Sequence, residues 1–275
     1  MVESRVQGDS PRQPAGVALA LSGGAARSAG HVGVLCALAE AKVPIAGLVG
    51  TSGGAFVGAL FASGRYSTQE LDRIGRGLKW RDVVAPALSP RGFFASERVG
   101  AVLRRLIGRI GFDDLRYPFA AVACDIRTGE KVVLGHGEVA LAVQASCSLP
   151  VFFTPTLVGG RLLVDGGAVS QLPVLAARER FPAARVVGVD VNYRAAETAR
   201  LGNLVSLGVQ VVSLFARQNA ARERQEADVM IDVDASDVSL YDLAKSSLMI
   251  GRGRDAAAAV LAKGRLTTGA ATGWR

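Results

Sequence analysis

Two short apolar runs, each closed by a glycine-rich turn, do most to limit what this chain can fold into. The first, "GVALALS" at residues 16–22, has strand length and leads into "GGAARSAG". Helical spacing then begins, with Val32, Leu35, Cys36, Leu38 and Ala39 recurring on one side. Pro44 marks the return, and "IAGLVG" is the second run. Strand, helix and strand in that order form a β-α-β unit, which predicts a parallel sheet. After Ser52 the segment "GGAFVGALFAS" reads as a helix that ends before Gly64. Residues 43–64 are long and apolar enough to suggest a membrane span, but their glycines and the central Thr51-Ser52 pair divide them into strand, turn and helix.

The rest of the chain alternates in the same manner. Ser67 and Glu70 have capping-box spacing and open a helix near Thr68–Gly77. Ser96 is expected to cap a second helix over Glu97–Ile107, so residues 65–115 form a helical excursion before the sheet resumes. "PFAAVACDI", "RTGE" and "KVVLG" read as strand, turn and strand. "EVALAVQASCS" is helical up to Leu149-Pro150, and "TLVGGRLLVDGG" is a hairpin that delivers Asp165 at a strand end. Pro173 opens a helix, "ARVVGVDV" is a strand, residues 200–225 a long helix, "ADVMIDVD" a strand and residues 240–263 a closing helix. The expected organisation is an N-terminal tail (1–15), one α/β domain (16–265) and a C-terminal tail (266–275).

Composition excludes some classes and opens others. A hydrophobic fraction of 49% with 20% charge argues against disorder. The formal net charge of +8 suits an anionic partner such as a membrane surface, while the absence of aromatic-interleaved basic motifs argues against nucleic acid. The arginines are spread out, apart from a modest cluster at Arg104, Arg105 and Arg109. Cys36, Cys124 and Cys147 lie far apart without ligand spacing, so no metal site is expected, and Cys36 and Cys124 read as buried free thiols suited to the cytoplasm.

The chemistry centres on Gly50-Thr51-Ser52-Gly53-Gly54, a G-x-S-x-G pattern between a strand and a helix. A serine on such a sharp turn projects its hydroxyl beyond the sheet, beside the positive end of the following helix. A small residue in a tight turn has the same appearance. A histidine base would have to come from His31 or His136, the only two, and both precede Asp165. The order serine, acid, histidine is therefore unavailable. Asp165, between "LLV" and "GG", leaves a buried strand for a glycine turn. Burial would raise its pKa and make it a base, although an Asp-Gly hairpin turn looks alike. The loop "SGGAARSAG" offers successive backbone N–H groups for a phosphate or an oxyanion, with the fixed charge of Arg27 close by.

The ordered set "LSGGAARSAGHVGVL", "GTSGGAFVGAL", "ACDIRTGEKVVL", "QASCSLPVFFTP" and "LLVDGGAVSQLPV" resembles the patatin-like phospholipase family, from about Val17 to the final helix. The resemblance implies a three-layer α/β/α fold with a mainly parallel central sheet. It also implies a Ser–Asp dyad with no cofactor or metal: Ser52 as nucleophile, Asp165 as proton acceptor. Gly23, Gly24 and Ala25 would supply oxyanion N–H groups, and the elbow geometry adds that of Gly53. Arg27, Gly50, Gly54, Gly166 and Gly167 match supporting positions. The chain departs from the family pattern at Ala25 and Ser28, where glycine is usual, and at Ser170-Gln171 after the Asp-Gly-Gly turn. These departures bear on rate rather than fold. The implied activity is release of fatty acid from phospholipid or lysophospholipid esters, with peripheral contact to an anionic membrane. Two alternatives share these residues: a soluble carboxylesterase or thioesterase on small acyl substrates, and a weakly active regulatory lipid-binding protein.

Overall fold

In the computed structural model, which describes residues 16–87, 89–195, 202 and 204–266, the apolar runs become strands. They are β1 (Val17–Leu21), followed by α1 (Ala29–Glu40), and β2 (Ile45–Thr51), followed by α2 (Gly53–Ala62). The helical excursion comprises α3 (Thr68–Gly77), α4 (Trp80–Val83) and α5 (Glu97–Ile107). Then come β3 (Phe119–Asp125), β4 (Lys131–Leu134), α6 (Val139–Ser146), β5 (Thr156–Val158) and β6 (Arg161–Asp165). The chain closes through α7 (Val174–Arg180), β7 (Arg185–Tyr193), α8 (Leu204–Arg224), β8 (Val229–Asp234) and α9 (Ser246–Ala262).

The strands form one eight-stranded sheet in the order β5-β6-β3-β2-β1-β7-β8, with β4 also paired to β3. Pairings among β1, β2, β3, β7 and β8 are parallel, and those of β4, β5 and β6 are antiparallel. Burial follows position. Every residue of β1 and β3 is buried, as a central strand covered on both faces requires, whereas β8 at the edge alternates buried and half-buried positions. Leu19 and Leu21 enter the larger core, with α1, α2, α5, α6 and α9. Ala18 and Ala20 enter a smaller core with α7. Helices therefore cover both faces of the sheet in three layers.

A local capping signal explains the start of α3. Ser67 and Glu70 form the expected reciprocal capping box on α3. Ser96 precedes α5, but its hydroxyl does not cap it. Instead it meets Thr156 Oγ1 at 3.1 Å and accepts from Gln144 Nε2 at 3.3 Å in a buried polar cluster. The closing helix begins at Ser246, after a 3-10 turn at Leu243–Lys245, rather than at residue 240. Residues 200, 201 and 203 of the expected long helix, the tail 1–15 and residues 267–275 lie outside the described residues. No described helix is long and apolar enough to cross a membrane. Residues 43–64 are instead β2, a turn and α2.

Candidate active site

The turn between β2 and α2 holds Ser52 at φ 54° and ψ −126°, a conformation that non-glycine residues rarely take. The surroundings fix it there. Thr51 Oγ1 donates to Ser170 O at 2.7 Å, and the Ser52 N–H donates to Ser146 Oγ at 2.8 Å. Ser146 in turn donates to Val122 O of β3 at 2.6 Å. The flanking glycines allow backbones to touch. A Cβ on Gly50 would lie 2.6 Å from Ala55 Cα, and one on Gly54 would lie 2.5 Å from the carbonyl oxygens of Leu21 and Ser22.

Sheet register brings Asp165 to this turn. β2 runs along β3 until Thr51 pairs with Val122. β6 runs along β3 in the opposite direction and ends with Asp165 opposite Ala123, the next residue. β4 pairs with Ala121 and Ala123 as well, so it occupies the other edge. β2 and β6 therefore share one edge of β3 and meet head to head, their C-terminal residues one register step apart. Beyond this point Gly166 turns tightly over β3, where a Cβ would lie 2.3 Å from Val122 O.

Asp165 is 4% exposed. Its carboxylate accepts the Gly167 N–H at 2.8 Å and lies beside the Ser52 hydroxyl, which favours its charged form. Burial pushes its pKa up to about 6, with the Ser52 hydroxyl and the Gly167 N–H opposing. The group is thus an ionised base just above pH 6 and within reach of a serine proton. Cys147, which sequence reasoning did not place here, lines the same cavity. Burial and the nearby Asp165 charge raise its thiol well above the ordinary value, so it stays neutral.

The glycine loop arrives from β1 as a 3-10 turn, Ala25–Ser28, beside the N-terminus of α2. Ala25 adopts φ 45°, the left-handed conformation that glycine takes more easily. The Gly23 N–H donates to Gln171 O at 2.9 Å, so it is already committed and leaves the expected set of oxyanion donors. The Gly23 carbonyl accepts from Asn192 Nδ2 at 2.7 Å and Gln171 Nε2 at 3.1 Å. The N–H groups of Gly24, Ala25 and Gly53 have no acceptor among the described residues. Arg27 does not bring its charge into the cavity. It is 7% exposed, donates from Nε to Val238 O at 2.7 Å and from Nη1 to Asn192 Oδ1 at 3.2 Å, and anchors the loop from behind. Gln171, which the sequence marked only as a departure from the family pattern, is one tether; Asn192 and Asn219, which no motif signalled, are the others. Asn219 accepts the Gln171 N–H at 2.7 Å and donates to Gly167 O at 2.9 Å.

The histidines take no part. His31 is fully buried, bonds Ser22 O through Nε2 at 2.8 Å, and burial lowers its pKa to about 4. His136 is exposed. In the arginine cluster, Arg104 pairs with Glu138 at 2.6 Å. Among the described residues no cluster of His, Cys, Asp or Glu could hold a metal ion. Ser52 and Asp165 line a cavity of about 150 Å³ whose other walls are mostly apolar, including Phe56 and Leu60 from α2, Leu71 and Ile74 from α3, and Phe152 and Phe153. The excursion thus forms one wall of the cavity. Trp80, Phe152 and Tyr241 cluster over it with ring centroids 6.4 Å apart.

Residues 19–178 match the model of the patatin-like phospholipase family. The chain is 37% identical over 174 residues to an NTE family protein of Mycobacterium tuberculosis, covering 62% of this chain and 47% of that protein. It is 36% identical over 183 residues to human patatin-like phospholipase domain-containing protein 6, covering 64% of this chain and 13% of that protein. It thus spans less than half the length of these relatives. The crystal structure of VipD from Legionella pneumophila shares the fold, with a TM-score of 0.55 at 14% identity over 91% of this chain and 67% of that one. The chain belongs to the patatin-like phospholipase family.

Proposed function

From that membership and the site geometry, we propose that the protein is a lipid acyl hydrolase that works through a Ser52–Asp165 dyad. Asp165 takes the Ser52 proton as Oγ attacks the ester carbonyl. The N–H groups of Gly24, Ala25 and Gly53 hold the oxyanion, aided by the positive end of α2. Collapse expels the alcohol, which takes the proton back from Asp165. Water attacks the acyl-enzyme as Asp165 accepts its proton, and on collapse Asp165 returns that proton to Ser52 Oγ while the fatty acid leaves.

One observation carries this reading: a serine on a strained turn and a buried carboxylate raised to about 6 line the same largely apolar cavity. Chemical labelling with a serine-directed fluorophosphonate tests it. Wild type should label, and Ser52→Ala should not. Labelling that survives Ser52→Ala moves the nucleophile elsewhere, and an inert wild type leaves the regulatory reading standing. The cavity volume supports a second reading. Apolar cavities of about 150 Å³ hold a benzene-sized group, which favours a small acyl chain. A preference for short soluble esters, with no fatty acid released from phospholipid, would select that reading.

A further inference from the structure

We propose that the outer face of α8, continued by Val151 and Phe93, is a docking face for an anionic lipid bilayer. This rests on the lipid hydrolase reading and gives it a surface. The helix buries Val209, Ala216 and Glu223, spaced by sevens along one side. The opposite side exposes Leu207, Val211, Leu214 and Phe215 at 48%, 43%, 45% and 58%. Spacings of four, three and one place these four on a single stripe about 100° wide. Contiguous apolar exposure of this kind marks an interaction site.

The stripe leads to the cavity. A Cβ on Gly208, next to Leu207, would lie 3.0 Å from Val151 Cγ2. Val151 is 37% exposed at φ 71°, a left-handed conformation that is strained for a β-branched residue. Its carbonyl accepts the N–H of Phe93, itself 57% exposed. The next two residues, Phe152 and Phe153, line the cavity above Ser52. A surface laid on the stripe would therefore sit beside the segment that lines the cavity.

Charge selects the occupant. The only carboxylate on α8, Glu223, is buried, accepting from the Ser170 hydroxyl at 2.5 Å and the Leu175 N–H at 2.9 Å. Arg217 and Arg222 are exposed beyond the stripe, and Arg91 is exposed next to Phe93. An apolar stripe flanked by arginines, without an exposed acid on the helix, has the composition of an interfacial helix on anionic lipid. A second copy of a chain carrying +8 would be repelled.

The test is co-sedimentation of the full chain carrying Ser52→Ala, which spares the lipid, with phosphatidylcholine vesicles with and without phosphatidylserine. The comparison protein adds Leu214→Gln and Phe215→Gln, both at exposed positions. Binding should require phosphatidylserine, weaken with salt, and fall at least about tenfold in the comparison protein. The same double substitution in the active background should leave hydrolysis of a water-soluble short-chain ester unchanged. Equal vesicle binding by both proteins, or no binding by either, overturns the docking face. So does a wild type that elutes as a dimer which the double substitution splits, since the stripe is then covered by a second copy. Lipid binding through the stripe without any ester turnover would keep the docking face and remove the hydrolase reading.

Discussion

Replacing Asp165 with asparagine should stabilise the protein at pH 8 and do little at pH 4. In the fold, burial lifts this carboxyl from 3.8 to about 6. In the unfolded chain it titrates at its ordinary value. Between those values the native state holds a proton that the unfolded chain has released. The group therefore contributes stability that is fully present below about 3.8 and is lost as the pH rises through about 6. The displacement is worth about 3 kcal/mol. Asparagine carries no charge to desolvate, and its Oδ1 can still accept the Gly167 N–H. Urea unfolding of both proteins at several pH values measures the effect. The stability difference should grow by about 2.5 kcal/mol in favour of the variant between pH 4 and pH 8. His31, lowered to about 4, loses stability as the pH falls, but both proteins contain it and it cancels in the difference. A pH-independent difference, or one that grows in favour of wild type, would refute the reasoning. Ester turnover should vanish in the same variant, as expected where a site trades stability for function.

Three other substitutions probe the supports. Gly50→Ala drives a Cβ to 2.6 Å from the α2 backbone, so it should cost about 3 kcal/mol or more; an unchanged unfolding midpoint would contradict that close approach. Ser28→Ala removes a buried hydroxyl with no partner among the described residues and should raise stability by about 1 kcal/mol, read as a higher Tm. Ser67→Ala breaks the α3 capping box and should cost about 1 kcal/mol while turnover of a soluble ester holds, which calorimetry beside a rate assay checks.

Legibility in the sequence followed the range of the forces involved. β1, β2 and β3 could be read because strands covered on both faces must be apolar throughout. The α3 start could be read because both halves of its cap lie within four residues. Ser96 has the same local credentials, yet Thr156 and Gln144, remote in sequence, claim its hydroxyl. Gly23 fails for the same reason: its amide belongs to Gln171. Ser52 and Asp165 could be named from their turns, but their meeting depends on two registers along β3 that no local pattern encodes. Asn192 and Asn219 carry no signature at all, because a tether is recognised only by what it reaches. The α8 stripe is a further case. Its helix was expected, but which side lay uncovered depended on the packing of its neighbours.

The head-to-head meeting of β2 and β6 makes enzymatic activity a gauge of strand alignment. Side chains alternate between faces, so sliding β6 along β3 by one residue would send Asp165 to the wrong side of the sheet. Such a molecule could keep its helix content and most of its core, and look native by circular dichroism. It would nonetheless be silent toward a serine-directed probe. During refolding, recovered labelling should therefore lag behind recovered helix signal, marking the moment when the antiparallel flank finds its alignment.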